Sequence, residues 1–346
     1  MDGCGMLIHH PWETPPPEGG ATEVAPGVLW LRLPLPMMLD HVNVFALDEG
    51  DSWTIVDTGI HSPEARALWE RLLAGPLQGR PVSRVLLTHH HPDHVGMAGW
   101  FMERFGAALW ATRTSWLMAR LLILDVEEEP TPQTLEFWRA GGMDSAIFEA
   151  RRAQRPYNFA DSCLPIPVGY RRVVEGEVIR AGGRDWDVRL GGGHAPDHIT
   201  LWSRDDALVI GGDQILPGIS PNIGVHPTEP EADPLACWFA ACDRLSPHAR
   251  EDHLVLPGHK LPFTGLPLRM RQLRENHETA LERLRAFLTE PRTAADCFPL
   301  LFRRRIEAST YGLALVESVA HLNHLLHAGE VERWRREDGA WLWRVR

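Results

Sequence analysis

Thr88-His89-His90-His91-Pro92-Asp93-His94 follows a short apolar run at residues 82–87, which predicts a β-strand, and leads into a helical pattern. In an extended chain side chains two apart point the same way, so His89 and His91 can converge on one ion while His90 faces elsewhere. Pro92 then turns the chain. Asp93 and His94 enter the first turn of the next helix and face a second point nearby. His89, His91, Asp93 and His94 therefore offer two pairs of ligands within six positions, as a two-ion site requires.

Working outward, three later segments supply what that corner lacks. Gly191-Gly192-Gly193-His194 follows a strand pattern, with glycines that allow close backbone approach and a histidine at the strand end. Gly211-Gly212-Asp213 follows the apolar run at residues 207–210 in the same manner, and Pro257-Gly258-His259 follows residues 253–256. Strand ends that each deliver His or Asp are how a metal centre is assembled at one rim of a β scaffold.

The order H-x-H-x-D-H, then G-H, G-D and G-H, spread over roughly residues 27–265, resembles the metallo-β-lactamase superfamily of metal-dependent hydrolases. The resemblance implies an α/β fold, an αβ/βα sandwich of two sheets back to back with helices outside and the metals at one edge. It further implies that His89, His91 and His194 hold one ion, that Asp93, His94 and His259 hold the other, and that Asp213 bridges both together with a hydroxide. Asp57, at the end of another strand pattern (Asp57-Thr58-Gly59), would orient a metal-binding histidine by a hydrogen bond to its outer nitrogen. His198 fits a supporting role better than a ligand role.

Two divalent ions and a bridging hydroxide on five neutral imidazoles and two aspartates leave a net charge of about +1, which favours an anionic substrate or the oxyanion of a tetrahedral intermediate. The ions lower the pKa of bridging water towards ~7, so no serine or cysteine nucleophile is needed. Zinc is the first choice for this donor set, with iron or manganese as alternatives. Departures narrow the class. True β-lactamases of the superfamily commonly carry cysteine at the place of Asp213, and Ala195-Pro196-Asp197-His198 departs from the T-P-G-H of glyoxalase II. The expected activity is hydrolysis of a small carboxyl derivative (ester, thioester or lactone), with Asp93 or Asp213 moving the proton. Lys260, the only lysine of the chain, stands next to His259 and is a candidate contact for a substrate carboxylate or the oxyanion.

Composition agrees with a soluble globular protein: 346 residues, 44% hydrophobic and 23% charged, net charge −11. No apolar run approaches the ~20 residues of a membrane span, and no signal peptide is evident, so a cytoplasmic protein without membrane contact is expected. Five scattered cysteines, never spaced C-x-x-C, predict neither a disulfide framework nor a thiolate zinc knuckle. Residues 1–26 form an irregular, Pro- and Gly-rich lead-in, residues 27–290 the catalytic domain with a helical insertion at about 125–165, and residues 291–346 a small C-terminal domain. That tail, helices followed by a hairpin signal at Asp338-Gly339, is winged-helix-like, which raises an RNA nuclease of the same fold as the alternative activity. Charge argues against it, because residues 291–346 carry nine Arg against seven Asp and Glu and give no phosphate-tracking groove. A small-molecule substrate is the expected partner, not nucleic acid, and the tail is expected to pack against the catalytic unit or to build a homodimer contact. His321, His324 and His327 recur every third residue and predict a polar helix face, while Phe137, Trp138, Phe148, Tyr157 and Phe159 fit either a pocket wall or the insertion's own core.

Overall fold

Period-two burial in the first half of the chain builds a sheet that is covered on both sides. In the computed structural model, which describes residues 7–37, 39–302 and 304–346, β1 (Thr22–Ala25), β2 (Val28–Pro34), β3 (His41–Asp48), β4 (Trp53–Val56), β5 (Val82–Leu86), β6 (Ala108–Ala111) and β7 (Arg171–Arg172) lie in that order in one seven-stranded sheet. Residues 1–6 of the expected lead-in, Cys4 among them, lie outside the described residues; the other four cysteines are free. On β2 and β3 the side chains alternate between two cores: Val28, Trp30, Phe45 and Leu47 face one, Leu31, Leu33, Val42, Val44 and Ala46 the other. A strand buried on both faces reads as a nearly continuous apolar run, and β3 does so.

The second sheet has the order β12 (Leu254–Pro257), β11 (Leu208–Gly212), β10 (His198–Ser203), β9 (Arg184–Gly191), β8 (Val178–Ala181). Its inner residues Trp186, Val188, Ile199, Leu201, Ile210 and Leu256 pack on Trp30, Phe45 and Leu86 of the first sheet, so the sheets stand face to face over one core. Helices α1 (Pro63–Ala74), α2 (Pro92–Val95), α3 (Ala98–Phe105) and α4 (Arg113–Leu124) come from the first half. Of these, α1, α3 and α4 cover the outer face of the first sheet. The start of α1 is set locally: Ser62 Oγ accepts from the Ala65 N–H at 3.0 Å and Pro63 occupies the first turn. Its apolar stripe of Ala65, Leu68, Trp69, Leu72 and Leu73 is buried, each large side chain contributing about 1.5–3 kcal/mol.

The insertion supplies α5 (Pro132–Ala140) and α6 (Ser145–Arg152). The second sheet's outer face is covered by α7 (Pro234–Leu245), α8 (Leu266–Phe287), α9 (Phe298–Leu301) and α10 (Tyr311–His327), followed by the hairpin β13 (Val331–Arg335) and β14 (Trp341–Val345). Phe137, Trp238, Leu273, Leu315, Val331 and Trp343 belong to one continuous apolar cluster, so insertion, α7, α8 and tail share a core. Phe137 is therefore a core residue, with Trp138 and Phe148 packed against the same cluster and Phe159 against the first-sheet core, whereas Tyr157 is exposed. Among the described residues no helix is long and apolar enough to cross a membrane.

Two expectations need correction. The helix that Asp93 and His94 enter is broken into α2 and α3, because the Met97 N–H is diverted to Gly59 O (3.1 Å) and Thr58 Oγ1 (3.1 Å) rather than continuing the helical ladder. The polar face read for His321, His324 and His327 is exposed only at His327, and its other end is packed inside the protein. His321 is buried and pairs its Nε2 with His277 Nδ1 at 3.1 Å, His324 meets Asp233 at 3.0 Å, and His327 meets Glu231 O at 2.9 Å.

Candidate metal centre

The first sheet brings Asp57 from the end of β4 and residues 88–94 from the end of β5, which runs parallel to β4. The second sheet brings His194 from just past β9, Asp213 from the end of β11 and His259 from the end of the parallel β12. Ends of parallel strands leave loops on the same side, which is where open α/β sheets place their ligands. The seven residues of the expected ligand set meet here. His89 Nε2 lies 3.0 Å from His91 Nδ1, which lies 3.1 Å from His194 Nε2. His259 Nε2 lies 3.3 Å from both Asp93 Oδ2 and Asp213 Oδ2, and His94 Nε2 is 3.6 Å from Asp93 Oδ2 and 3.5 Å from Asp213 Oδ1. Asp213 Oδ2 is also 3.5 Å from His194 Nε2, so this one carboxylate touches both halves of the cluster. His90 stands outside all three groupings of potential ligand atoms at this centre, as its opposite side-chain direction requires.

Four of the five imidazoles, those of His89, His94, His194 and His259, are aimed by a bond to the far nitrogen. Asp57 Oδ2 faces His94 Nδ1 at 2.8 Å, and the same carboxylate accepts from the Thr88 N–H (2.8 Å) and the Thr88 hydroxyl (2.7 Å). Thr88 Oγ1 in turn lies 2.9 Å from His89 Nδ1. Asp57 reaches this position with φ 60°, a left-handed backbone that Asp tolerates better than most residues. His259 Nδ1 donates to His41 O at 2.7 Å and His194 Nδ1 to Asn222 O at 2.8 Å. His198, fully buried, accepts from the Asp213 N–H through Nε2 (3.1 Å) and stacks on His89 at 4.6 Å, so it braces the centre and contributes no atom to the three ligand groupings there. The side chain of Lys260 is exposed, while its backbone is fixed at φ 69° by bonds to His41 Nε2 and Asn43.

Two of these orienting groups, the carbonyls of His41 and Asn222, had no sequence signal, since any residue type supplies a carbonyl. The glycines were the better clue. Gly193 has φ +94° with Trp238 and Pro234 against its α-carbon, so only glycine lets the chain deliver His194. A Cβ at Gly258 would come 2.1 Å from Asp213 Oδ1 and 3.0 Å from His94 Cε1. Gly258→Ala is therefore expected to displace the Asp213 carboxylate and lower kcat/KM about 100-fold, the usual effect of a misplacement near 1 Å, with an unchanged circular dichroism spectrum. Metal content and kcat/KM measured on the same preparation check this.

The electrostatics of the cluster are those of a cation site. Burial opposes charge on His259, yet Asp213 and Asp93 outweigh it and push the imidazole up to about 10. Burial also opposes charge on His94, and Asp93, Asp213 and Asp57 nevertheless raise it well above the ordinary histidine value. Asp213 is held well below the carboxylate range against its own burial by His259 and His94. Burial pushes His89 and His91 down, so they are neutral donors. His94 Nε2 and Asp213 Oδ1 are buried without any hydrogen-bond partner. Orphaned polar atoms of this kind are costly unless something else satisfies them, and a divalent cation satisfies both. Five imidazoles and two carboxylates with no thiolate fit zinc, iron or manganese.

Comparison with known proteins bears on this geometry. Residues 37–290 match the model of the metallo-beta-lactamase superfamily, and residues 281–346 match that of the metallo-beta-lactamase-like C-terminal domain. The chain is similar to the "Probable metallo-hydrolase YqjP" of Bacillus subtilis, 27% identical over 307 residues that cover 86% of this chain and 92% of YqjP. Among solved structures, a beta-lactamase domain protein from Burkholderia ambifaria superposes with a TM-score of 0.89 at 38% identity, covering 98% of both chains. A metallo-beta-lactamase family protein from Thermus thermophilus does so at 0.77 and 27%, covering 94% of this chain and all (100%) of the other.

Proposed function

Because the chain belongs to the metallo-beta-lactamase superfamily, we propose that it is a metal-dependent hydrolase with two divalent ions, zinc first, acting on a small ester, thioester or lactone. The reading is carried by the single cluster in which seven His and Asp side chains meet, with His94 Nε2 and Asp213 Oδ1 left for a cation to satisfy. His89, His91 and His194 would hold one ion and Asp93, His94 and His259 the other, with Asp213 shared between them. Ions bound there would supply water acidified to near-neutral pKa and a Lewis acid for a carbonyl oxygen.

The chain's own residues complete the chemistry. Asp57, Thr88, His41 and Asn222 fix the tautomer and direction of four of the five imidazoles, so their donor nitrogens face inward before substrate arrives. Asp93 and Asp213 differ in access: the Asp93 side chain is 20% exposed and Asp213 only 8%. Asp93 is thus better placed to pass a proton to solvent or to the leaving group, and Asp213 to remain ionised and structural. The exposed Lys260 at the rim has the charge to meet a substrate carboxylate.

The test is turnover of a panel of p-nitrophenyl esters, acyl thioesters and lactones, with protein stripped of metal and then reloaded with zinc, iron or manganese. Chelator-sensitive hydrolysis of at least one class is the expected result. Inactivity towards the whole panel, combined with metal-dependent cleavage of an RNA oligonucleotide, would move the assignment to a nuclease.

A further inference from the structure

His194 differs from His89, His94 and His259 in what holds it. His94 is aimed by Asp57, His89 by Thr88 and His259 by His41, all residues of the first sheet or its strand ends. His194 is aimed by the carbonyl of Asn222, in the long loop between β11 and α7. That loop is fastened from outside the sandwich by α10. Asn222 Nδ2 donates to Glu317 Oε2 at 2.7 Å and to Leu313 O at 3.2 Å, and the Val225 N–H donates to Val316 O at 3.0 Å. Gly224 lies so close to the helix that a Cβ there would come 2.8 Å from Val316 Cγ2. Ser220-Pro221-Asn222 thus ties a C-terminal helix to one imidazole of the centre.

From this connection we infer that Glu317, acting through Asn222, is a positioning residue for His194, and that α10 thereby sets the affinity of one half of the centre, the half formed by His89, His91 and His194. The inference rests on the reading of these residues as metal ligands. Burial pushes the Glu317 carboxyl up to about 7, and ionised or protonated it accepts from the Asn222 amide, a bond that holds the residue whose carbonyl aims the ring. Loss of a group bonded directly to a ligand typically weakens metal binding 10- to 100-fold, and Glu317, one bond further out, belongs at the lower end of that range. The effect is confined to one ion because His94 and His259, the imidazoles of the other half, have their own partners.

The experiment is a Co²⁺ titration of metal-stripped full-length protein, followed by visible absorption and elemental analysis, on the unsubstituted chain, Glu317→Ala, Glu317→Gln and His194→Ala. Glu317→Ala is expected to weaken one binding step about tenfold or more, the same step that His194→Ala abolishes, with the other step unchanged. Glu317→Gln, whose amide oxygen still accepts from Asn222, should restore that step. Equal weakening of both steps together with a lowered Tm, failure of Gln to restore, or wild-type binding by Glu317→Ala would each overturn the inference. Absence of Co²⁺ binding by the unsubstituted chain would instead sink the metal reading itself, a failure visible before any variant is compared.

Discussion

Replacing Asp213 by alanine is expected to abolish hydrolysis of whichever panel substrate the protein accepts, lowering kcat/KM by about a thousandfold or more, and to reduce the bound ions below two per chain. A thousandfold corresponds to ~4 kcal/mol of transition-state stabilisation, within what a metal centre supplies. The expectation follows from how many partners this carboxylate serves. Its oxygens lie 3.3 Å from His259 and 3.5 Å from both His94 and His194, so this one carboxylate faces both halves of the cluster. Without it, His259 loses the strongest of its negative neighbours and His94 one of the three carboxylates that raise it, beside Asp93 and Asp57.

The backbone at Asp213 should survive the substitution. Its N–H is bonded to His198 and β11 pairs with β10 and β12 on either side, so the strand end does not depend on the carboxylate. Asp213→Asn separates charge from shape: it keeps the volume and one carbonyl oxygen but removes the charge, and it should behave like alanine in metal content. Elemental analysis and kcat/KM on both variants, with circular dichroism to verify folding, decide the matter. An Asp213→Ala protein that kept two ions and a tenth of the activity would exclude the shared role of this residue.

The centre was legible in the sequence because its side chains sit at strand ends, where a two-residue period and a terminal glycine leave a readable pattern: His89 and His91, then Gly193-His194, Gly212-Asp213 and Gly258-His259. The faces of the first sheet were legible for the same reason, as in the alternation of Val28 and Trp30 with Leu31 and Leu33. What aims the imidazoles was only half legible. Asp57 shows itself as an acidic residue at a strand end, but His41 and Asn222 act through carbonyls that carry no sequence identity. The break between α2 and α3 was hidden because its cause, the Gly59 carbonyl and Thr58 hydroxyl, lies more than thirty residues upstream of Met97. His321 misled for a related reason. Histidines three apart look like a solvent face until α8 is known to pack on α10 and pair His277 with His321.

Removing the ions should make the fold lose stability as pH rises, in the direction opposite to the loaded protein. Burial disfavours the charged form of His259, but Asp213 and Asp93 hold its pKa at about 10 in the metal-free fold, against about 6.5 in the unfolded chain. A folded-state pKa raised in this way contributes stability that is complete below about pH 6.5 and is lost as pH climbs towards about 10. His94, raised by Asp93, Asp213 and Asp57 against its burial, adds to the same slope. Asp93 and Asp213, both depressed against burial by the neighbouring imidazoles, contribute the reverse: stability present above about pH 4 and lost as acid protonates them. The metal-free protein is therefore most stable between about pH 4 and 6.5, and above that window each raised histidine costs up to about 1.4 kcal/mol per pH unit, a few degrees in Tm. In the loaded protein the same imidazoles are neutral ligands, and protons compete with the ions, so metal binding tightens as pH rises. Tm measured from pH 5 to 9 with chelator and with excess zinc should give two curves that converge in acid and separate progressively above neutrality. Parallel curves across this range would show that Asp93 and Asp213 do not hold His94 and His259 charged in the metal-free fold, and that no proton is displaced when an ion binds.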